Sequence, residues 1–431
     1  MTAFDAHRPP QQDLIDDCVH CGFCLPACPT YALWGEEMDS PRGRIQLMAQ
    51  GLDGEPMTGS LVGHIDACLG CMACVTACPS GVRYDQLITA TRAQVERRHT
   101  RSRWERAMRA GIFAMFPYRR RLGALRGPLR AYQRSGLERL VQRSGLAGRL
   151  PQPLRTMVSL LPPLGPVTEL PERMPAVGER RGTVALLTGC VQQAFFSAVN
   201  AATARVLVAE GFDVVVPAAQ GCCGALSEHS GREAEAQAFA RRSIDTFGPL
   251  DVDALVINSA GCGTSVKDYG ELLADDPAYR ERAAALAERT YDIAEFLASR
   301  EPVATRHRLE LKVAYHDACH LAHSQGIRAE PRRLLGDIPG VELVEIADGD
   351  LCCGSAGVYN LLAPDAATEL GDRKAANVAA TGADLLVAAN PGCTLQIAAG
   401  LRRQGTELPL AHTIEVLDAS LGGHSPTSLL R

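Results

Sequence analysis

The sequence predicts an α + α/β protein, in which an all-helical amino-terminal domain precedes a duplicated pair of α/β domains. Two observations predict this fold class. One cysteine spacing occurs twice within the first 80 residues, at an interval of fifty, and helix-forming residues lie between the two copies. From residue 182 onward, apolar β-rich segments alternate with helical ones, which is typical of parallel sheets covered by helices.

The length of 431 residues is sufficient for several domains that each bury a core. The amino-terminal residues lack the basic start and apolar segment of a secretory signal, and no stretch of eighteen apolar residues occurs. We therefore expect a cytoplasmic protein with reduced thiols, able to associate peripherally with the inner face of the cell membrane. The predicted divisions are a helical domain (1–90), a basic helical segment with a linker (91–180), and two α/β domains (181–305 and 306–431).

Each copy of the first motif has three cysteines at intervals of three, then a fourth cysteine followed by proline. In two-cluster ferredoxins the fourth cysteine of each copy binds the other cluster, so we expect two [4Fe-4S] clusters with crossed ligands. Structural zinc usually takes two separated cysteine pairs, and disulfides need an oxidising compartment, so both are weaker interpretations. The expected ligand sets are Cys18, Cys21, Cys24 and Cys78 for the first cluster, and Cys68, Cys71, Cys74 and Cys28 for the second.

The segment after the helical domain is strongly basic, although the net charge of the chain is −5. Between Arg92 and Arg155 it holds seventeen arginines and three acidic residues, interspersed with apolar and aromatic side chains. Short helices broken at prolines fit this composition, with breaks expected at Pro117, Pro128, Pro151 and Pro153. Contact with anionic lipid, a solvated basic face and docking of an acidic partner all remain open. No nucleic-acid-binding module is recognisable.

A second cysteine pattern is repeated in the α/β part of the chain, at offsets of 129 to 131 residues. Each cysteine follows a predicted strand, such as Ala254–Ile257, and parallel sheets gather ligands at those strand ends. Three interpretations stay open: a further metal or iron-sulfur centre, a redox-active thiol pair, or small buried core residues. The two copies are Cys190, Cys222, Cys223 and Cys262, and Cys319, Cys352, Cys353 and Cys393.

Three histidines accompany the second copy and are absent from the first: His316, His320 and His323. Histidine can hydrogen-bond near a cysteine cluster, relay protons or ligate a metal. The sequence leaves these roles open.

These motifs together resemble the iron-sulfur subunit of bacterial glycolate oxidase, also called glycolate dehydrogenase. The resemblance extends over nearly the whole chain and has five short motifs besides the amino-terminal cysteines. They are Pro41–Arg44, Thr188–Gln192, Gln220–Gly224, His316–His320 and Leu351–Gly357.

The resemblance implies an electron-transfer subunit of an oxidoreductase that acts on CH–OH groups. In that family an FAD-containing subunit oxidises glycolate, or D-lactate, and the iron-sulfur subunit passes the electrons toward a quinone or another acceptor. Carried over to this sequence, the eight amino-terminal cysteines are the cluster ligands and the flavin belongs to a partner chain. No dinucleotide-binding fingerprint occurs in the sequence, which agrees with this division and leaves no catalytic residue to assign.

Related chains suggest alternative functions: iron-sulfur subunits of lactate utilisation or of glycerol-3-phosphate dehydrogenase, or a thiol–disulfide redox enzyme similar to heterodisulfide reductase. The last family commonly ends its Cys-Cys-Gly unit in Cys-x-x-Cys. Here Ser265 and Gln396 occupy the position of that extra thiol.

Overall fold

A computed structural model describes residues 2–137, 140–141 and 152–430. The elements within residues 12–98 are all helical. Ser40 and Thr58 cap two of these helices by accepting backbone N–H groups, and Pro41 stands at a first helical position, where its fixed φ is favourable. The helices are α1 (Gln12–Asp16), α2 (Pro29–Trp34), α3 (Pro41–Leu52), α4 (Gly59–Ala67), α5 (Ala73–Thr76) and α6 (Tyr84–Arg98), with a 3₁₀ turn over Glu37–Asp39.

In the described part of the basic segment lie the helices α7 (Arg103–Met115), α8 (Arg119–Arg134) and α9 (Gln152–Ser159). Pro117 separates α7 from α8 and Pro153 lies in the first turn of α9, whereas Pro151 is outside the described residues. The break expected at Pro128 is wrong, because that proline lies inside α8. An interior proline costs about 3 kcal/mol, and burial of the Leu122 side chain contributes about 1.5–3 kcal/mol in the opposite direction.

The first sheet has five strands in the order β1-β3-β2-β4-β5, parallel except for the antiparallel β1. The strand predicted over Ala254–Ile257 is confirmed as β4 and is fully buried. The strands are β1 (Arg173–Met174), β2 (Gly182–Leu187), β3 (Phe212–Val215), β4 (Ala254–Ile257) and β5 (Thr290–Asp292). The helices of this unit are α10 (Val191–Phe195), α11 (Ser197–Ala209), α12 (Ala225–Glu228), α13 (Glu233–Phe247), α14 (Ala260–Lys267), α15 (Tyr269–Leu272), α16 (Arg280–Glu288) and α17 (Ile293–Ala298).

The second sheet has four parallel strands in the order β7-β6-β8-β9, which repeats the order of the four parallel strands of the first sheet. Its strands are β6 (Leu311–His316), β7 (Val341–Val344), β8 (Leu385–Ala388) and β9 (Leu410–Ala411). A π-helical turn covers His320–Ser324 and a 3₁₀ turn covers Pro426–Ser428. Its α-helices are α18 (Ala329–Gly336), α19 (Tyr359–Leu362), α20 (Pro364–Ala379), α21 (Pro391–Arg403) and α22 (Thr413–Leu421).

The two α/β units share one apolar core. Side chains of β2, among them Val184 and Leu186, belong to the same buried cluster as Val313 of β6 and Val387 of β8. Helix α11 packs on α22 between the sheets, and an ion pair joins Arg205 to Asp418 at 2.6 Å. This packing turns the carboxyl ends of the strands of both sheets toward each other, since the Ala260 N–H after β4 donates to the Ala389 carbonyl after β8.

Candidate iron-sulfur and cysteine sites

The two amino-terminal cysteine loops have the same backbone shape. In the first loop His20 and Gly22, on either side of Cys21, have φ of 54° and 86°. In the second loop Gly70 and Met72 flank Cys71 with φ of 65° and 60°. A non-glycine residue with positive φ costs about 1–2 kcal/mol, and such strain is concentrated at functional sites.

The first group of thiols surrounds a small pocket at the protein surface. Cys18, Cys21 and Cys24 line it from one loop and Cys78 lines it from the other. Cys21 is exposed and the remaining three thiols are half-buried. The apolar side chains two residues before and after Cys21 are also exposed, Val19 by 68% and Phe23 by 67%. Four thiols around one pocket are the donor set that a [4Fe-4S] cluster requires.

The second group of thiols is buried. Cys68, Cys71, Cys74 and Cys28 all lie in the protein interior. Burial, together with the nearby sulfurs of this group, raises the pKa of Cys74 well above its usual value. Burial also raises the pKa of Cys68, but the guanidinium groups of Arg44 and Arg92 outweigh it, so the net shift is downward.

Arg44 is the buried cation of this region. Its guanidinium donates to the His64 carbonyl at 2.6 Å and to the Thr30 hydroxyl at 3.1 Å, and it lies 3.3 Å from the Asp39 carboxylate. It also approaches the Cys28 sulfur at 3.9 Å. A buried positive charge at this position would compensate the negative charge of a cluster if these thiolates held one.

The arginine that contacts the first loop, Arg42, is nearer to solvent than Arg44. Arg42 donates to the His20 carbonyl at 3.0 Å and pairs with Glu37 at 2.6 Å. Its guanidinium packs so closely on Gly22 that a Cβ there would lie 2.9 Å from Arg42 Nη1. The second loop repeats this contact, because Arg92 packs on Gly70 at the same distance and donates to the Cys68 carbonyl.

The first cysteine tetrad of the α/β part lies at the carboxyl end of the first sheet. The Cys190 and Cys222 sulfurs are 3.6 Å apart, and the Gly224 N–H donates to the Cys222 sulfur at 3.4 Å. Its hydrogen bond with Cys190 and then burial raise the pKa of Cys222 well above its usual value. The pKa of Cys262 is likewise raised, first by its hydrogen bond with Cys223. Cys222, Cys223 and Cys262 of this tetrad therefore favour the thiol form.

The second tetrad has the same arrangement and an added histidine. The Cys319 and Cys352 sulfurs are 3.5 Å apart. His316 is buried at the end of β6. One of its ring nitrogens and the sulfurs of Cys353 and Cys393 all lie within 4.8 Å of one another. A hydrogen bond from Cys352 chiefly lowers the pKa of Cys353, and His316 contributes in the same direction. The shift is well below the usual value, which favours a thiolate there. One thiolate, one thiol and an imidazole form a donor set suited to a metal.

The side chains of Ser265 and Gln396 form hydrogen bonds inside the protein. Ser265 donates to the Glu228 carboxyl at 2.5 Å, and burial raises the pKa of Glu228 to about 8. Gln396 donates to the Ala367 carbonyl at 2.6 Å and accepts from Asn360. The side chains at these two positions therefore form buried hydrogen bonds and offer no further thiol.

One cavity of about 730 Å³ connects these features. Cys68 and Leu69 of the second cluster loop line it, as do residues of α7, α8 and α9. Leu69 and Cys71 also pack against Cys319 and Tyr359 of the second α/β unit. Both tetrads line the cavity with all of their members: Cys190, Cys222, Cys223, Cys262, Cys319, Cys352, Cys353 and Cys393.

Several residues that contribute to these sites carry no sequence signal of their own. Arg92, His229 and Tyr359 line the cavity but belong to no cysteine motif. The rings of His229 and His320 lie 4.7 Å apart, and burial lowers the pKa of His229 well below its usual value and that of His320 to about 4. Only the duplication of the cysteines indicates that segments this far apart in the chain converge.

Comparison with known protein families agrees with this architecture. Residues 14–82 match the 4Fe-4S dicluster domain, and residues 184–267 and 313–398 each match the cysteine-rich domain. Residues 104–161 match the linker region of glycolate oxidase iron-sulfur subunits. The fold and the sites thus define an iron-sulfur protein with a dicluster domain followed by two cysteine-rich domains.

Individual relatives identify the family. The chain is 40% identical, over 90% of its length and 89% of the relative, to the probable glycolate oxidase iron-sulfur subunit of Bacillus subtilis. It is 36% identical to the Escherichia coli glycolate oxidase iron-sulfur subunit, over 94% of this chain and 93% of that protein. Lactate utilization protein A of Exiguobacterium sp. is 33% identical over 54% of this chain and 96% of its own length. The chain belongs to the family of glycolate oxidase iron-sulfur subunits, which confirms the resemblance seen in its motifs.

Among the described residues, no helix combines the length and the apolar character needed to cross a bilayer.

Proposed function

We propose that this chain is the electron-transfer subunit of a glycolate dehydrogenase, which receives electrons from an FAD-containing partner and passes them toward a quinone or another acceptor. Family membership supports the complex, and the eight amino-terminal thiols support the electron transfer. Iron-sulfur clusters, when bound, exchange single electrons, whereas oxidation at a CH–OH carbon belongs to a flavin.

The observation that carries the proposal is the difference in burial between the two groups of thiols. The proposed ligands Cys18, Cys21, Cys24 and Cys78 are exposed or half-buried. The proposed ligands of the second cluster, Cys68, Cys71, Cys74 and Cys28, are all buried. Pairing within one sequence motif would mix buried and accessible thiols, while crossed pairing separates them, so burial supports two [4Fe-4S] clusters with exchanged fourth ligands.

The flavoprotein partner is proposed to dock over the first cluster loop. Val19 and Phe23 are exposed apolar side chains on either side of the accessible Cys21 thiol. Exposed apolar groups of this size at a redox site are suited to a protein interface that excludes water. Electrons would therefore arrive at the first thiol group and leave from the second, which faces the cavity.

The cysteine-rich units are proposed to hold one more metal or iron-sulfur centre. The second tetrad, with His316, is the stronger candidate because its donor atoms already converge. The units are further proposed to have arisen by duplication, an inference supported by their identical strand order. The divisions at 90, 180 and 305 remain our proposed boundaries.

The exposed arginines of α7 and α8 are proposed to bring the complex to anionic lipid. Arg103, Arg106 and Arg120 are exposed on these helices. Each such residue contributes about 1 kcal/mol near an anionic surface.

Metal analysis of anaerobically purified chain tests the proposal. Two clusters require about eight irons and eight sulfides per chain, and a further iron-sulfur centre would raise the iron to about twelve. Dithionite should produce a low-temperature paramagnetic signal. A colourless chain that contains zinc and gives no such signal would contradict the proposal.

A second candidate is the same electron-transfer role in oxidation of lactate, favoured by the similarity to lactate utilization protein A. The substrate of the flavoprotein that copurifies with the chain distinguishes the two. Glycerol-3-phosphate oxidation would be recognised in the same way. Reduction of a disulfide by the chain alone, without any flavoprotein, would instead favour a thiol–disulfide enzyme.

A further inference from the structure

The cavity lined by the cysteine tetrads has an apolar arm made by the basic linker helices. Met108, Ile112 and Met115 of α7 line it at spacings of four and three residues, so they lie on one face of the helix. Leu125 and Leu129 of α8 line it from the neighbouring helix. These apolar faces are therefore turned toward a cavity as well as toward the protein core.

The arm reaches the protein surface at α8. Leu125 lines the cavity and is nevertheless 38% exposed. Arg121, one helical turn earlier, is exposed, as is Arg120. The apolar arm thus opens beside the arginines that we propose to contact anionic lipid, where a lipophilic molecule could enter directly.

The inner end of the cavity carries polar groups that lack partners. The hydroxyl groups of Ser355 and Tyr359 are buried, with residue exposures of 2% and 6%, and have no hydrogen-bond partner among the described residues. The same is true of His229 Nε2 and His320 Nδ1. All four side chains line the cavity, and a buried polar group without a partner costs about 1–3 kcal/mol. A ligand that accepts hydrogen bonds would remove that cost.

These donors lie beside the second cluster loop. Tyr359 packs in the same cluster as Leu69 and Cys71. Cys68 lines the cavity itself, and its carbonyl accepts from Arg92, which also lines the cavity. A molecule held by the hydroxyl groups would therefore contact the loop from which, under the proposed function, electrons leave the dicluster domain.

We propose that this cavity is the binding site of a lipophilic quinone, whose isoprenoid tail occupies the arm between α7, α8 and α9 while its carbonyl oxygens accept hydrogen bonds from Ser355 and Tyr359. The assignment rests on the proposed electron-transfer function. A quinone combines an apolar tail, two acceptor oxygens and the capacity to take up electrons. These properties match the apolar arm, the hydroxyl groups and the neighbouring cluster loop. Its reduction to the quinol consumes two electrons, supplied by oxidation of the 2-hydroxy acid on the flavoprotein, and two protons from solvent.

Binding of decylubiquinone to the anaerobically purified chain in detergent tests the site. We expect one saturable site, weakened at least tenfold by Met115→Trp and by Leu125→Trp, because the added ring fills the arm. Leu154→Trp on α9 is the matched control, since Leu154 is exposed and does not line the cavity. The double variant Ser355→Ala with Tyr359→Phe should weaken binding about tenfold, the loss of one or two hydrogen bonds. Iron content and the paramagnetic signal establish that each variant is intact.

The outcomes separate the site from the proposed function. Wild-type complex given the 2-hydroxy acid that its flavoprotein oxidises should reduce a one-electron dye, and failure there would overturn the electron-transfer function. Dye reduction without saturable quinone binding would overturn the site alone. The site would also be overturned if both tryptophan variants bound like the wild type, or if Leu154→Trp weakened binding as much as they do. Menadione, which has no tail, should bind more weakly than decylubiquinone, and equal affinity would contradict an apolar arm that holds the tail.

Discussion

The two cluster loops share a backbone shape but differ in their surroundings. Both have a pair of left-handed residues around the middle cysteine and an arginine packed on a glycine. The first loop presents Val19, Cys21 and Phe23 to solvent. The second buries Leu69, Cys71 and Met72 against the rest of the protein. The duplicated motif thus determines the backbone shape of the loop, while the neighbouring side chains determine what the loop can contact.

Under the proposed function, this difference gives electron transfer through the dicluster domain a direction. The accessible loop is suited to a protein partner, and the buried loop faces a cavity inside the same chain. Four experiments test this direction, and they follow in order of decreasing expected effect.

The largest effect is expected from loss of one ligand in each loop. In Cys71→Ser, glycolate should still reduce the flavin and the first cluster, but delivery of electrons to quinone should stop. In Cys21→Ser, glycolate should reduce the flavin only, although dithionite should still reduce the second cluster. Paramagnetic spectra after each reductant make the measurement. Reversed behaviour of the two variants would mean that electrons travel in the opposite direction.

The next test compares the arginines that support the loops. Arg44→Met removes the buried ion pair between Arg44 and Asp39. Breaking a buried pair lowers the free energy of unfolding by about 3–5 kcal/mol. Arg42→Met removes a partly exposed pair that is worth about 0–1 kcal/mol. The free energies of unfolding of the two variants, measured with denaturant, check the prediction. Equal losses would mean that the loops do not differ in electrostatic burial.

A smaller effect is expected at the proposed docking surface. Val19→Ser with Phe23→Ser should weaken binding to the flavoprotein about tenfold or more, since apolar anchors at the centre of an interface dominate its affinity. Val177→Ser is the matched control, because Val177 is 65% exposed and distant in sequence from the cluster loops. Titration of flavoprotein against immobilised chain makes the measurement. Unchanged affinity in the double variant would place the partner elsewhere.

The smallest effect is expected at the lipid surface. Arg120→Gln with Arg121→Gln should weaken binding to phosphatidylserine vesicles about fivefold per residue, from a contribution of about 1 kcal/mol each. Cosedimentation at low and high salt makes the measurement, because the electrostatic attraction is screened by salt. Binding that is insensitive to both changes would mean that α8 contacts only protein.

Local patterns predict much of this molecule. The strand Ala254–Ile257 follows from a short apolar segment bounded by turn-forming residues, and the structure has it with the same limits. The helix between the cysteine loops follows from helix-forming residues after Ser40, which caps it. Cysteine spacing alone singles out all sixteen thiols that line the sites, because a motif is a property of neighbours in sequence.

The remaining features depend on contacts between distant segments. Cys71 and Cys319 belong to one buried cluster although they are nearly 250 positions apart in the chain. No sequence periodicity predicts this contact. Pro128 misled the prediction because local propensity disfavours a helix there, whereas tertiary packing of α8 restores it. The unpartnered hydroxyl groups of Ser355 and Tyr359 likewise become visible only when the surrounding elements are assembled.

The common interior of the two sheets has a consequence for the stability of the chain. Val184 and Val313 belong to one apolar cluster, although the connection between the units passes through the exposed Val303. Cleavage of the chain at that point would leave each half with an exposed apolar surface, so neither fragment should fold as a monomer by itself. The pair should therefore melt cooperatively in one transition and refold only when both halves are present.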